Sequence, residues 1–559
     1  MKPFLWRLAG PLLFFVLTSA SMSPRMRAQP ITDPDIMGAA RIQGLEFAEP
    51  ERIQMLETLR ERLGALESLR KQSFPNALEP SLYFDPRPPG FPMPPRVGRF
   101  TWSPPRSVRR PADAEDLAWL SVGQLAALIR SHQVTSEELT RLSLSRLKRY
   151  GPALHCVVTL TEERALESAR RADAEIRQGH WRGPLHGIPY GAKDLLSTRG
   201  IRTTWGVSTF TNQIPDADAT VIHKLDEAGA VLVAKLSLGE LAMGDVWFGG
   251  LTRNPWHPDQ GSSGSSAGSA ASVAAGLVPF AIGSETLGSI VSPSTRCAVT
   301  GLRPTFGRVS RSGAMTLCWS MDKLGPIART AGDCALVLNA IQGPDGRDRT
   351  VMDVGFTYPS RRPLKSLRIG YLKEAFDQSG SNRTNHQASL DALRSLGLEL
   401  KPVTLPAYPP DFFYLILSAE SAAAFDEFTR NHRERTLVQQ GAGDWANSFR
   451  NGRFVSAVDY LQANRVRTQL ISDLDRFFRE IDVLIAPPFG GQVLTLSNFS
   501  GHPTVVVPNA DPRTGAESGL AFTGRLYGEA EILSVAEAFQ AATGWHRLRP
   551  DLSRLGSRP

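Results

Sequence analysis

Five short runs constrain most strongly what this chain can fold into: CVVTL at 156–160, AVLVAKL at 230–236, LRIGYL at 367–372, DVLIAP at 482–487 and TVVVP at 504–508. Each is short and largely apolar, with β-branched residues among its members. It therefore lacks the in–out alternation of a strand with one wet face and must be covered on both. Helical segments lie among them, such as ERALESARRADAEIRQ and DATVIHKLDEAG. Buried strands alternating with helices read as an α/β core with helices on both sides of a sheet. No internal repeat is visible.

The flanking sequence divides differently. Lys2 and Arg7 precede a short apolar run that ends at the small residues Thr18 to Ala20, which reads as a signal peptide over 1–20 cleaved after Ala20. The apolar run falls short of the ~20 residues a membrane span needs, so stable membrane insertion is not expected, and an uncleaved anchor is the alternative. A helical extension follows over 21–74, with Leu56, Leu59, Leu63 and Leu66 in helical spacing and Pro50 dividing the stretch. From Pro75 to Pro111 stand eleven prolines, which exclude helix and central strand and predict an extended linker over 75–113. The catalytic domain is expected over 114–555, opening with capping boxes at Ser121/Gln124 and Thr135/Glu138.

Composition excludes little beyond disorder. The net charge of +8 comes from arginines scattered along the chain with no basic block, so no nucleic-acid partner is expected. The four cysteines, Cys156, Cys297, Cys318 and Cys334, form no framework, and their spacing does not say whether any pair. No His, Cys or carboxylate group has metal-ligand spacing, and neither metal nor cofactor is expected.

The stretch QGSSGSSAGSAASVAAG, residues 260–276, poses the functional question. A flexible linker would be flanked by polar or Pro-rich sequence on both sides, and here a helix-like run follows. A phosphate cradle would require the lysine of G-x-x-x-x-G-K-[ST]. The serines are left as the candidates. Gly264 to Gly268 matches the G-x-S-x-G nucleophile elbow with Ser266 at its tip, but the preceding RNPWHPDQ is no buried strand. A second reading joins distant segments. In FAIGSETLGSIV, a β-like run ends in a turn whose successive N–H groups can converge beside the Ser289 hydroxyl. Upstream, Lys193 follows a Gly/Pro-punctuated apolar run, and a lysine in such surroundings can lose its proton near neutral pH and act as a base.

These segments, in this order, resemble the amidase signature family from about residue 114 to GWHRLRP near 550. The resemblance implies that family's fold, a large mixed twisted β-sheet covered by helices, and a Ser-cisSer-Lys triad. Asn254-Pro255-Trp256 and Val273-Ala274-Ala275-Gly276 fix the register, so the triad falls on Lys193, Ser265 and Ser289, with a cis peptide before Ser265. The N–H groups of Thr286, Leu287, Gly288 and Ser289 would form the oxyanion hole. Ser262, Ser263, Ser266 and Ser269 become loop and packing residues, and Asp194 and Asp322 supporting groups. The chain departs from the family pattern at Glu285, Leu287 and Val291, where the family has Asp, Gly and Arg. A narrower, less polar acyl site is the expectation from these changes.

The resemblance implies an amidase acting on a small-molecule amide through a Ser289 acyl-enzyme, and the signal peptide makes an exported, periplasmic or secreted protein the expectation. An amidotransferase A-subunit-like protein and a catalytically idle binding homologue are the alternatives. The substrate-binding residues and the oligomeric state are not legible.

Overall fold

All five runs are strands in the computed structural model, which describes residues 31–555 apart from 106, 379 and 516–518. The signal-peptide segment lies outside the described residues. Eleven strands form one sheet: β1 (Val157–Leu160), β2 (Pro189–Lys193), β3 (Val231–Leu236), β4 (Phe280–Glu285), β5 (Thr300–Arg303), β6 (Lys323–Ala328), β7 (Ile369–Tyr371), β8 (Leu400–Pro402), β9 (Val483–Ala486), β10 (Thr504–Val507) and β11 (Leu520–Gly524). Their spatial order is β1-β3-β2-β4-β6-β5-β10-β11-β9-β7-β8. The sheet is mixed. β2 runs parallel to both β3 and β4, while β4–β6, β6–β5 and β5–β10 are antiparallel.

Both faces are covered, as the sequence requires. In β4, Phe280 and Ile282 enter one core cluster and Ala281 another. In β9, Val483 and Ile485 face the first cluster while Leu484 and Ala486 face a third. Period-two alternation therefore sends successive side chains into different cores. The first core takes the helices Ala331–Ile341 and Glu529–Thr543, and the second takes Ser136–Leu154 and Ala267–Ala274.

The helix starts show how much local sequence decides. Ser121 accepts from Gln124 N at 3.1 Å and Gln124 reaches back to Ser121 N at 2.9 Å, a complete capping box. Thr135 accepts from Glu138 N at 3.1 Å, but Glu138 pairs with Arg110 instead of closing the second box.

Two compact units are present. The first, within Met1–Ser73, contains helices Asp33–Ile42 and Glu49–Leu69, with Pro50 in the first turn of the second and Arg52 tied to Asp33 at 2.6 Å. The second runs from Phe74, not from residue 114. The described residues of the proline-rich segment are free of helix, as expected, yet the segment packs as part of the catalytic unit. Asn76 pairs with Thr316, Phe84 lies edge-on to Phe306 at 4.9 Å, and Pro95 O accepts from Gly355 N. Prolines block ladder formation, but they leave carbonyls and side chains available for packing.

All four cysteines are buried and unpaired. Among the described residues no helix is long and apolar enough to cross a membrane.

Candidate active site

Lys193 ends β2 and Ser284 lies near the end of β4. These strands are parallel neighbours, so their C-terminal ends emerge at one edge of the sheet. Against that edge sits the Gly/Ser loop that feeds helix Ala267–Ala274. The peptide between Gly264 and Ser265 is cis. A Cβ on Gly264 would lie 1.7 Å from the Gly244 carbonyl oxygen, so only glycine lets the two backbones approach this closely.

Lys193 is fully buried. Its Nζ lies 2.9 Å from Ser265 Oγ, 2.9 Å from Ser284 Oγ and 3.0 Å from Ser266 Oγ. Burial pushes its pKa down to about 7, against the opposing pull of Asp322 and Glu285. The hydrogen-bond inventory then orders the cluster. Ser266 Oγ donates to Ser284 O at 3.0 Å and accepts from Ser284 N at 3.1 Å, so its proton is committed and it can only accept from Lys193. A neutral amine has two N–H groups and one lone pair. The Ser265 and Ser284 hydroxyls make no other hydrogen bond among the described residues, so each has a proton free to face the lone pair of the neutral amine.

Ser289 closes the arrangement through its backbone, its carbonyl accepting from Ser266 N at 3.1 Å. Its hydroxyl makes no hydrogen bond to Ser265 among the described residues, so the structure brings Lys193 and Ser265 into contact and sets Ser289 alongside. Exposure rises along the series, from 0% at Lys193 and 1% at Ser265 to 9% at Ser289. Among the described residues, none of the four N–H groups from Thr286 to Ser289 donates to a protein acceptor. Gly288 has φ +93°, a conformation that turns successive amides together at little cost only in glycine.

Glu285 holds this loop. Its Oε2 accepts from Ile290 N at 2.8 Å and Val291 N at 2.9 Å, while Oε1 accepts from Arg303 and Asn498, each at 2.8 Å. Burial raises its pKa, but the Arg303 charge and hydrogen bond, the Val291 amide and the Lys323 charge outweigh burial and lower the pKa to about 2. Asp322 accepts from the Thr286 hydroxyl at 2.6 Å and from Leu317 N and Cys318 N. Asp194 pairs with Lys235 at 3.0 Å and accepts from Thr204, away from the Lys193 amine.

A profile of the family described as Amidase matches residues 138–533. The chain belongs to the amidase family. It is 35% identical over 482 residues to the glutamyl-tRNA(Gln) amidotransferase A-subunit of Heliobacterium modesticaldum, covering 77% of this chain and 98% of that protein. Among solved structures, the native peptide amidase of Stenotrophomonas maltophilia is 30% identical with a TM-score of 0.68, covering 78% of this chain and 99% of that one. The glutamyl-tRNA(Gln) amidotransferase A-subunit of Thermotoga maritima is 26% identical with a TM-score of 0.64, covering 79% and 98%.

Within this amidase-family chain, the elbow reading of Ser266 finds no strand before it, and its hydroxyl is spent on Ser284. Ser269 likewise donates to Ile282 O at 3.1 Å. The partners Ser284, Arg303 and Asn498 were not legible as site residues, although Ser284 directly precedes Glu285. A cavity of about 460 Å³ opens beside the site, with Ser284, Thr286 and Asp322 on its inner wall. Neither Ser265 nor Ser289 lines it. Its lining includes Glu79, Arg311 and Asp348. The two apolar replacements turn elsewhere: Leu287 packs on the core containing Met321 and Leu496, and Val291 is buried in the start of its helix.

Proposed function

We propose that the protein hydrolyses a carboxylic amide through an acyl-enzyme on Ser289. The observation that carries this is the buried Lys193 amine, 2.9 Å from the Ser265 hydroxyl, next to a loop of four uncommitted N–H groups. Lys193 takes the Ser265 proton, Ser265 takes the Ser289 proton, and Ser289 Oγ bonds to the amide carbon. The oxyanion is met by the amides of Thr286 to Ser289, each such donor contributing ~3 kcal/mol in other serine hydrolases. The proton then returns through Ser265 to the leaving nitrogen as the C–N bond breaks. Water attacks the acyl-enzyme by the same relay and releases the acid. Ser265 and Ser289 need draw together only when substrate binds, as catalytic hydrogen bonds commonly do.

The curated relatives favour a second reading of the same chemistry, since the one described above at 35% identity is named as an amidotransferase subunit. In that reading the ammonia passes to a partner instead of being lost. Release of ammonia from primary amides by the isolated chain, abolished in Ser289→Ala, supports a free-standing amidase. Release only with added amidotransferase subunits supports the second reading. Wild-type release no greater than that of Ser289→Ala under both conditions would leave the idle homologue. Export after cleavage at Ala20 belongs to the first reading, and N-terminal sequencing of the protein recovered from the periplasm or medium tests it.

A further inference from the structure

The cavity beside Ser284 has a wall that lies outside the residues matched to the amidase family. Ala77, Leu78, Glu79, Ser81 and Tyr83 line it, and all five precede the matched region 138–533. This wall is fastened, not draped. The Asn76 amide accepts from Thr316 N at 2.7 Å and donates to Thr316 O at 3.0 Å and Ala424 O at 3.2 Å. At the other end the Tyr83 hydroxyl accepts from Arg349 at 2.6 Å, and the Phe84 ring lies 3.4 Å from the Arg467 guanidinium carbon.

Between these anchors stands Glu79. Its Oε1 accepts from Arg311 Nη2 at 3.2 Å. Arg311 is already engaged by Asp348 at 2.9 Å, by Thr350 and by the Trp319 carbonyl, so none of its donor groups is left without an acceptor. Two carboxylates therefore flank one guanidinium, and Glu79 Oε2 has no hydrogen-bond partner among the described residues. Arg347 and Arg349 also border the cavity; both are exposed and partly screened by water and salt, though Arg349, held by Tyr83, still acts on the Glu79 carboxylate. Glu79, with 27% of its side chain exposed, is screened less.

We propose that residues 76–83 form a specificity wall of the cavity that borders Ser284 and Thr286 beside the site, and that Glu79 selects amides carrying a protonated amine. The proposal rests on the amide-hydrolase reading for its substrate class. A hydrogen-bonded charge pair in a partly buried site contributes about 1.5 kcal/mol or more, which is roughly tenfold in affinity.

The test uses the full chain carrying Ser289→Ala, so that binding is read without turnover. A series of ω-amino primary amides is titrated calorimetrically beside alkyl amides of matched length. At the chain length that reaches Glu79, the amino amide is expected to bind about tenfold more tightly than its alkyl counterpart. Adding Glu79→Gln is expected to erase that preference and leave the alkyl amides unchanged. Equal affinities throughout, a preference that survives Glu79→Gln, an equal loss for both series, or no binding by either would overturn the proposal. Because turnover is not measured, failure here leaves the hydrolase reading standing, and loss of hydrolysis in the wild-type chain is seen separately.

Discussion

Lys193 has the acid–base behaviour of a group near neutrality because the protein removes its water and returns three hydroxyls and one carbonyl, with no carboxylate in contact. Asp322 and Glu285 pull its pKa upward, but Glu285 is engaged by Arg303 and burial prevails. Activity should therefore rise with pH through about 7 as Lys193 loses its proton, then level off in kcat/KM. Stability follows the same proton. Unfolded, the amine keeps it up to about 10.5; folded, only up to about 7, so the unfolded state binds more protons between these values and stability rises with pH there. Ser265→Ala should cut kcat by ~10²–10⁴ by severing the relay, whereas Ser266→Ala should act mainly on stability, by ~1–3 kcal/mol, because it strands the buried Ser284 peptide groups. Thermal melts alongside kcat separate the two.

At the scale of elements, the site depends on how loops are clamped to strand ends. Glu285 joins the end of β4 to the start of helix Val291–Arg296 and to Arg303 of β5. Glu285→Gln leaves Arg303 buried without its charge partner, at a cost of ~3–5 kcal/mol, and loosens the Thr286–Ser289 turn. Melting temperature and kcat should fall together, unlike the Ser265 variant, whose melting temperature should hold. Much of this level was legible. The five apolar runs became strands, and the Ser121/Gln124 box formed, because short-range chemistry decides them. β2, β5 and β6 carry no such signal, since PYGAK, TGLR and KLGPIA contain glycine, proline or charge, and only their central place in the sheet makes them strands. Ser284 and Arg303 escaped for the same reason: their roles arise from strand pairing that no local pattern encodes.

At the scale of the whole molecule, the proline-rich segment is the largest departure from expectation. Proline content correctly excluded helix but carried no signal of what the segment packs against, because its anchors, Asn76 to Thr316 and Glu79 to Arg311, lie more than 200 residues apart in sequence. A chain beginning at Phe74 should melt at the same temperature as the catalytic unit of the full chain. One beginning at residue 114 should melt lower, having lost the Phe84 and Asn76 contacts along with the cavity wall; differential scanning calorimetry on both decides this. The central claim is that Ser289 is the nucleophile served by Ser265 and Lys193. It is tested most directly by treating the protein with a fluorophosphonate and locating the adduct by mass spectrometry. The account predicts modification of Ser289, its loss in Ser289→Ala, and a labelling rate that rises with pH through about 7. An adduct on Ser266, or no adduct on Ser289 at any pH, would contradict it.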